Sequence, residues 1–207
     1  MLSCARIFLK KQDGEKMSVR RKSIETEKLV YLSVFTALVI VLQCLASFVF
    51  PKISLSVNLS LIPVVLGAAF CNPFAGAWLG FLSGFIILFD PTTVAFMEFS
   101  PAATIFLVLL KGAASGLVGG LVYRIFEKKN RYLAVFLAAI ATPLVNTGIF
   151  FAGCFLFFYP LIASWAVDQA VVVFVVTVMI GTNFLIELGL NMLLSPTITR
   201  LINIKKR

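Results

Sequence analysis

At 207 residues, 60% hydrophobic, 13% charged and with 21 Phe, this chain cannot cover a soluble globule with polar surface, and it reads as an all-α integral membrane protein. Its 18 Lys and Arg against 9 Asp and Glu give a formal charge of +9, but these bases flank apolar runs, where they orient the chain against anionic lipid rather than bind nucleic acid. The absence of His removes zinc-protease helices, imidazole acid/base chemistry and Ser-His-Asp triads, and Cys4, Cys44, Cys71 and Cys154 are too scattered for a disulfide framework or a thiolate metal site.

Residues 1–28 form a basic segment with no apolar stretch beside a small-residue cleavage site, so they are not a removable signal peptide. Met17, followed by Ser-Val-Arg-Arg-Lys, is a candidate second start. All the Lys and Arg residues except Lys52 and Lys111 fall in this segment, at the break around residue 129, or at the end of the chain. Cytoplasmic flanks carry the Lys/Arg excess, so both termini and that break are expected in the cytoplasm, with an even number of spans on each side of it.

A hydrocarbon core of about 30 Å takes roughly 20 apolar residues per helix, and the punctuation predicts six transmembrane helices within a membrane domain over residues 29–201, followed by a basic tail at 202–207. The first is expected over residues 29–50, ended by Pro51. The second and third, 57–71 and 74–89, are short and joined by a tight reversal at Asn72-Pro73. Residues 90–99 read as an outer loop, and Ser100-Pro101 gives an N-cap and a first-turn Pro for the fourth span, 101–126. The fifth, 132–159, holds Pro143, which cannot donate to the helix ladder and predicts a bend. The sixth is expected from Asp168 to about residue 198. Gly76, Gly80 and Gly84 on the third helix, and Gly112, Gly116 and Gly120 on the fourth, recur every four residues, so each trio lies on one face where another backbone can approach; packing is favoured over a ligand role.

The informative chemistry is polar side chains inside the bilayer, where a charge costs roughly 2.5 to 3.5 kcal/mol on insertion scales and needs a partner. Lys111 falls ten residues into the fourth helix, about 15 Å deep. Asn146 lies at similar depth on the fifth, and Asn183, Glu187 and Asn191 make a four-residue stripe on the sixth. One reading is a structural pair of Lys111 and Glu187 with amides stitching helices together. The favoured reading is a ligand site of Lys111, Asn146, Asn183, Glu187 and Glu98, closed on the outer side by acids and by Phe96, Phe99, Tyr159 and Trp165. No metal or cofactor is expected. Nothing resembles a phosphate-binding Gly-rich loop, so the chain does not hydrolyse nucleotide itself.

In order and spacing, Leu32-Ser-Val-Phe-Thr-Ala-Leu38, Leu61-Ile-Pro-Val64, Pro73 with Gly76 and Gly80, Lys111-Gly112 and Pro143-Leu-Val-Asn-Thr-Gly-Ile-Phe150 resemble the substrate-binding S components of energy-coupling factor (ECF) vitamin transporters, from about residue 27 to the end. The resemblance implies a multi-pass cell-membrane protein, not an enzyme, that binds a vitamin-like small molecule from outside. It also implies partners, namely a membrane coupling subunit and two cytoplasmic ATPases. A small-residue face on the first helix would meet the coupling subunit, with Ser33 standing where the family has Ala, followed four residues later by Ala37. The alternatives are a self-sufficient secondary carrier using Lys111 and Glu187 as coupling-ion residues, and an intramembrane enzyme using Glu187 or Asp90; the lack of His and of an inverted repeat argues against them.

Overall fold

The computed structural model describes residues 25–49, 60–166 and 170–205, which form helices and no strand. The basic segment ahead of residue 25, Pro51, Lys52, Asp168 and the last two bases lie outside the described residues. The helices are α1 (Glu25–Ser47), α2 (Leu61–Phe70), α3 (Pro73–Ile87), α4 (Val94–Phe99), α5 (Pro101–Phe126), α6 (Arg131–Phe157), α7 (Tyr159–Trp165), α8 (Val171–Phe174) and α9 (Thr182–Lys205). A π-helical stretch, Val175–Gly181, joins α8 to α9.

Three described helices are long and apolar enough to cross a membrane: α1, α5 and α6. A fourth span results if α3 and the Pro91–Phe99 segment, bent by 76° at the break between them, are taken together. The six-span expectation is thus met only in part. At ten residues α2 falls short of the roughly 20 that a bilayer core takes, and α9 interrupts its apolar surface with Glu187, Asn191, Ser195 and Thr199.

Two interfaces build the frame. Along α3 and α5 the glycines meet face to face in antiparallel register: Gly84 against Val108, Gly80 against Gly112 and Gly76 against Gly116, with Gly120 reaching Pro73 at the start of α3. Without Cβ atoms the two backbones come into direct contact, which is how helices gain dispersion energy where no hydrophobic drive exists. The packing role favoured for the two glycine trios is the one they have here. Along α5 and α6 a second antiparallel register runs: Gly119 meets the Thr142 hydroxyl, Lys111 meets Phe150 and Gly153 meets Leu107.

The helix ends sort by chemistry. Gly120 beside Pro73, Cys71 Sγ donating to Lys28 O at 3.4 Å, and Ile198 and Ile202 packed with Tyr123, Ala134 and Val135 bring the ends of α1, α3, α5, α6 and α9 that carry Lys28, Arg124, Lys128, Lys129, Arg131 and Arg200 to one side. The opposite end carries Asp90, Glu98 and an aromatic cluster. At the basic end the Asn72-Pro73 reversal holds: Asn72 is extended and its Oδ1 accepts from Ala75 N at 2.7 Å, closing the first turn of α3. Asn72→Ala should cost about 1 kcal/mol of stability, the usual worth of an N-cap, measured as a lowered unfolding midpoint of the purified protein.

Two local expectations are corrected. Residues 90–99 are not a loop: Asp90 Oδ1 accepts from Thr92 N at 2.9 Å and Thr92 Oγ1 at 2.7 Å, Thr93 Oγ1 donates to Ile87 O at 2.8 Å, and a 3-10 turn leads into α4. These short polar residues satisfy the backbone locally, which lets a helical turn form where the sequence shows only loop formers. Ser100 sits at the N-cap of α5 before Pro101, but its hydroxyl makes no capping bond; instead Thr104 Oγ1 donates to Ser100 O and Phe96 O, each at 2.8 Å, and ties α4 to α5.

The last part of the chain also differs from a single helix over 168–198. Aromatic Tyr159 to Trp165 form the separate helix α7, and α9 continues through Pro196 to Lys205.

Candidate functional site

Lys111 occupies the eleventh position of the 26-residue α5. A helical side chain leans toward its own N-terminus, so the Lys111 stem rises toward the aromatic end rather than toward the bases. Its Nζ comes to rest over the face of Phe150, 4.8 Å from the ring centroid. This cation-π contact replaces part of the hydration that an ammonium loses inside an apolar bundle. Among the described residues no hydrogen bond reaches the ammonium, and its field partners are Glu187 of α9, Cys154 of α6 and Asp90 at the aromatic end.

Phe150 connects the charge to a roof. Phe96 of α4 packs edge-on against Phe150 (6.1 Å), Phe158 (5.0 Å) and Trp165 of α7 (5.6 Å). Phe99 joins through Phe158 at 6.3 Å, and Tyr159 through Phe155 at 6.4 Å. Leu107, Cys154, Ile162 and Val175 fill the space beneath. Three of the four aromatics expected at the closed end, Phe96, Phe99 and Trp165, therefore belong to one ring network centred on Phe96 of α4, while Tyr159 pairs with Phe155 beside it.

The inner side of the site is amide-rich. Asn146, one helical turn from Phe150, is 7% exposed, and on α9 Glu187 and Asn191 are 7% and 3% exposed. Pro143 has no N–H, so the Ala139 carbonyl lacks its helical donor and adds an acceptor on the same stretch of α6. Asn183 belongs to α9, and its side chain lies outside what is described. Glu98 is exposed, on the side of α4 away from Phe96. The structure thus brings Lys111 to Phe150 directly and leaves Glu98 at the surface.

Two features escaped sequence reasoning. Phe150 is one of 21 Phe and nothing in its spacing singles it out; only the α5–α6 register sets it opposite Lys111. The second is a buried polar cluster at the aromatic half of α1 and α3. Ser83 Oγ donates to Gln43 Oε1 at 3.1 Å, Ser60 and Ser83 hydroxyls are 2.6 Å apart, and Gln43 Nε2 donates to Ser47 Oγ at 3.3 Å. A lone Gln in an apolar helix was the available signal.

On α1, Ser33 and Ala37 are exposed, beside Val30, Val34 and Val41. Phe35 and Val39 instead turn inward against α2 and α3.

The half-buried Lys111 ammonium thus lies under aromatic rings in a chain with three described helices long and apolar enough to cross a membrane, and no group of three or more Asp, Glu or Cys that could hold a metal occurs among the described residues. The sequence model of the family described as ECF transporter, substrate-specific component, matches residues 27–199, and the chain belongs to that family. Comparison with curated proteins and with solved structures gives no match. The family is one of transporter components, not of enzymes, and it implies a small-molecule substrate together with membrane coupling and ATPase subunits.

Proposed function

We propose that this chain captures a vitamin-like micronutrient at the Lys111 site from the side bearing Asp90 and Glu98, and delivers it inward with a coupling subunit and two ATPases. The observation that carries the reading is the Lys111 ammonium, held over Phe150 without a hydrogen bond among the described residues. A Lys used only for packing would be replaced at no loss by an apolar residue, since its burial is costly. A Lys that meets an acceptor or anionic group of a solute recovers that cost when the solute arrives.

In this reading the solute enters beneath the Phe96, Phe158 and Trp165 roof, Lys111 engages its acceptor group, and Asn146, Asn183 and Glu187 engage its remaining polar atoms. The bases gathered at the other end mark the cytoplasmic side, and both termini lie there. The exposed face of α1 around Ser33 and Ala37 meets the coupling subunit, because small side chains let another helix approach.

The test is uptake of a labelled vitamin panel into proteoliposomes holding the chain alone or with coupling and ATPase subunits. Uptake that needs both ATP and the partners supports the reading. Uptake by the lone chain without ATP would instead establish a self-sufficient carrier.

A further inference from the structure

The geometry points to Asn146 and Asn191 as a paired carboxamide clamp that reads the lactam or imide edge of a heterocyclic solute, one helical turn deeper than Lys111. This rests on the solute-capture reading and assigns the chemical class of what is captured.

Both residues are more than nine-tenths buried. Among the described residues neither carboxamide has a hydrogen-bond partner, although each carries two donors and an acceptor that need one when removed from water. Nearby hydroxyls do not serve them: Thr142 Oγ1 donates to Ala138 O at 2.8 Å and Thr199 Oγ1 to Ser195 O at 2.9 Å, each within its own helix. Nor are the amides among the sealed polar atoms without a partner, where Tyr123 Oη alone stands among the described residues, so their heads keep a little accessible surface.

Their positions make them a pair. Ile198 and Ile202 of α9 share one packed cluster with Ala134, Val135 and Ala138 of α6. Two antiparallel helices in register there, each rising equally per residue, put Asn191 about level with Asn146 and Glu187 about level with Phe150. The coupling of Glu187 to Lys111, which sits over Phe150, agrees with that register. The register therefore sets the two carboxamides at one level on neighbouring helices, with a charged and aromatic layer one turn above them.

A carboxamide presents a donor and an acceptor side by side in one plane, and so matches a group with adjacent N–H and C=O. Asn146 takes one carbonyl and the N–H of an imide, and Asn191 takes the second carbonyl. The ring then stands along the bundle axis with a carbonyl or carboxylate about one turn back, at Lys111.

The probe is 6-carboxylumazine, which carries an imide edge and a carboxylate at that separation, with its N3-methyl derivative as control. Titration calorimetry on the full chain in detergent should show binding that Asn146→Leu and Asn191→Leu each weaken about tenfold or more. Methylation should weaken binding to the unsubstituted protein similarly; the Asn146→Leu variant should no longer distinguish methylated from unmethylated probe, whereas Asn191→Leu, which loses only the second carbonyl contact, should still do so. Without ligand, both variants should unfold at or above the temperature of the parent protein, since an amide without a partner is replaced by an apolar side chain of similar size. A lowered midpoint in the ligand-free variants makes the amides structural and overturns the clamp. Absence of probe binding overturns the lactam assignment while leaving partner-dependent uptake to judge solute capture separately. Binding that both Leu variants retain at full strength overturns the clamp and leaves solute capture standing.

Discussion

Gly80→Leu is expected to abolish recovery of folded protein, and Gly116→Leu to do the same. A Cβ on Gly80 meets the carbonyl oxygen and carbon of Gly112, and one on Gly116 meets the carbonyl of Gly76; these are backbone atoms, which cannot swing aside. Even Ala at either position forces the two helices apart and should cost about 1 to 3 kcal/mol, as overpacking of a tight core does. Leu needs a separation of a whole side chain, and it would strip contact from Gly84 to Gly120 along one continuous seam. No water-driven term between helices compensates inside a bilayer, so the loss reaches the total stability of a typical domain. Gly148 and Gly189 supply the control, because a Cβ at either meets nothing within 4 Å. Gly148→Ala and Gly189→Ala should be neutral or stabilising by up to about 1 kcal/mol through better helix propensity. The readouts are the yield of monodisperse protein on size exclusion and its unfolding midpoint. A Gly80→Leu protein that elutes normally and melts with the parent would show that the seam does not hold the frame.

The seam was readable in advance because four-residue spacing of Gly has one geometric meaning on a helix: a face without side chains. The spacing alone did not say which partner each face meets. The register, Gly80 on Gly112 and Gly76 on Gly116, depends on the length of the Asp90 to Ser100 connection, whose helical turn is set by the Asp90, Thr93 and Thr104 side-chain bonds. Lys111 and Asn146 were legible as candidate site residues because a polar group in an apolar run is conspicuous by cost. Phe150 was not, since an aromatic residue inside a membrane protein carries no such signature and takes its role from the residue opposite. Residues 159–165 read as the tail of one span and an outer loop because Tyr, Pro and Trp are common at membrane interfaces, yet Pro160 sits in the first turn of a helix, where its missing N–H costs nothing.

Lys111→Met should lower solute affinity by about 1 to 3 kcal/mol, a factor of roughly five to a hundred and fifty, without lowering the unfolding temperature of the ligand-free protein. The sign of the stability effect follows from the half-buried place of the ammonium on an apolar helix. Met keeps the apolar stem and removes a charge whose insertion is unfavourable, so the bundle loses the Phe150 cation-π contact but gains relief from desolvation. A structural ion pair behaves in the opposite way. Removing one partner of a buried pair strands the other charge and destabilises by about 3 to 5 kcal/mol, while removing both restores stability. The double-mutant cycle of Lys111→Met with Glu187→Gln, read once by calorimetric binding and once by thermal unfolding, separates the two roles. Solute capture requires the large term in the Lys111→Met binding leg and little coupling in the stability cycle. Full affinity in Lys111→Met, with its lost stability recovered on adding Glu187→Gln, would make the ammonium a strut between α5 and α9 and remove the observation on which the capture reading stands.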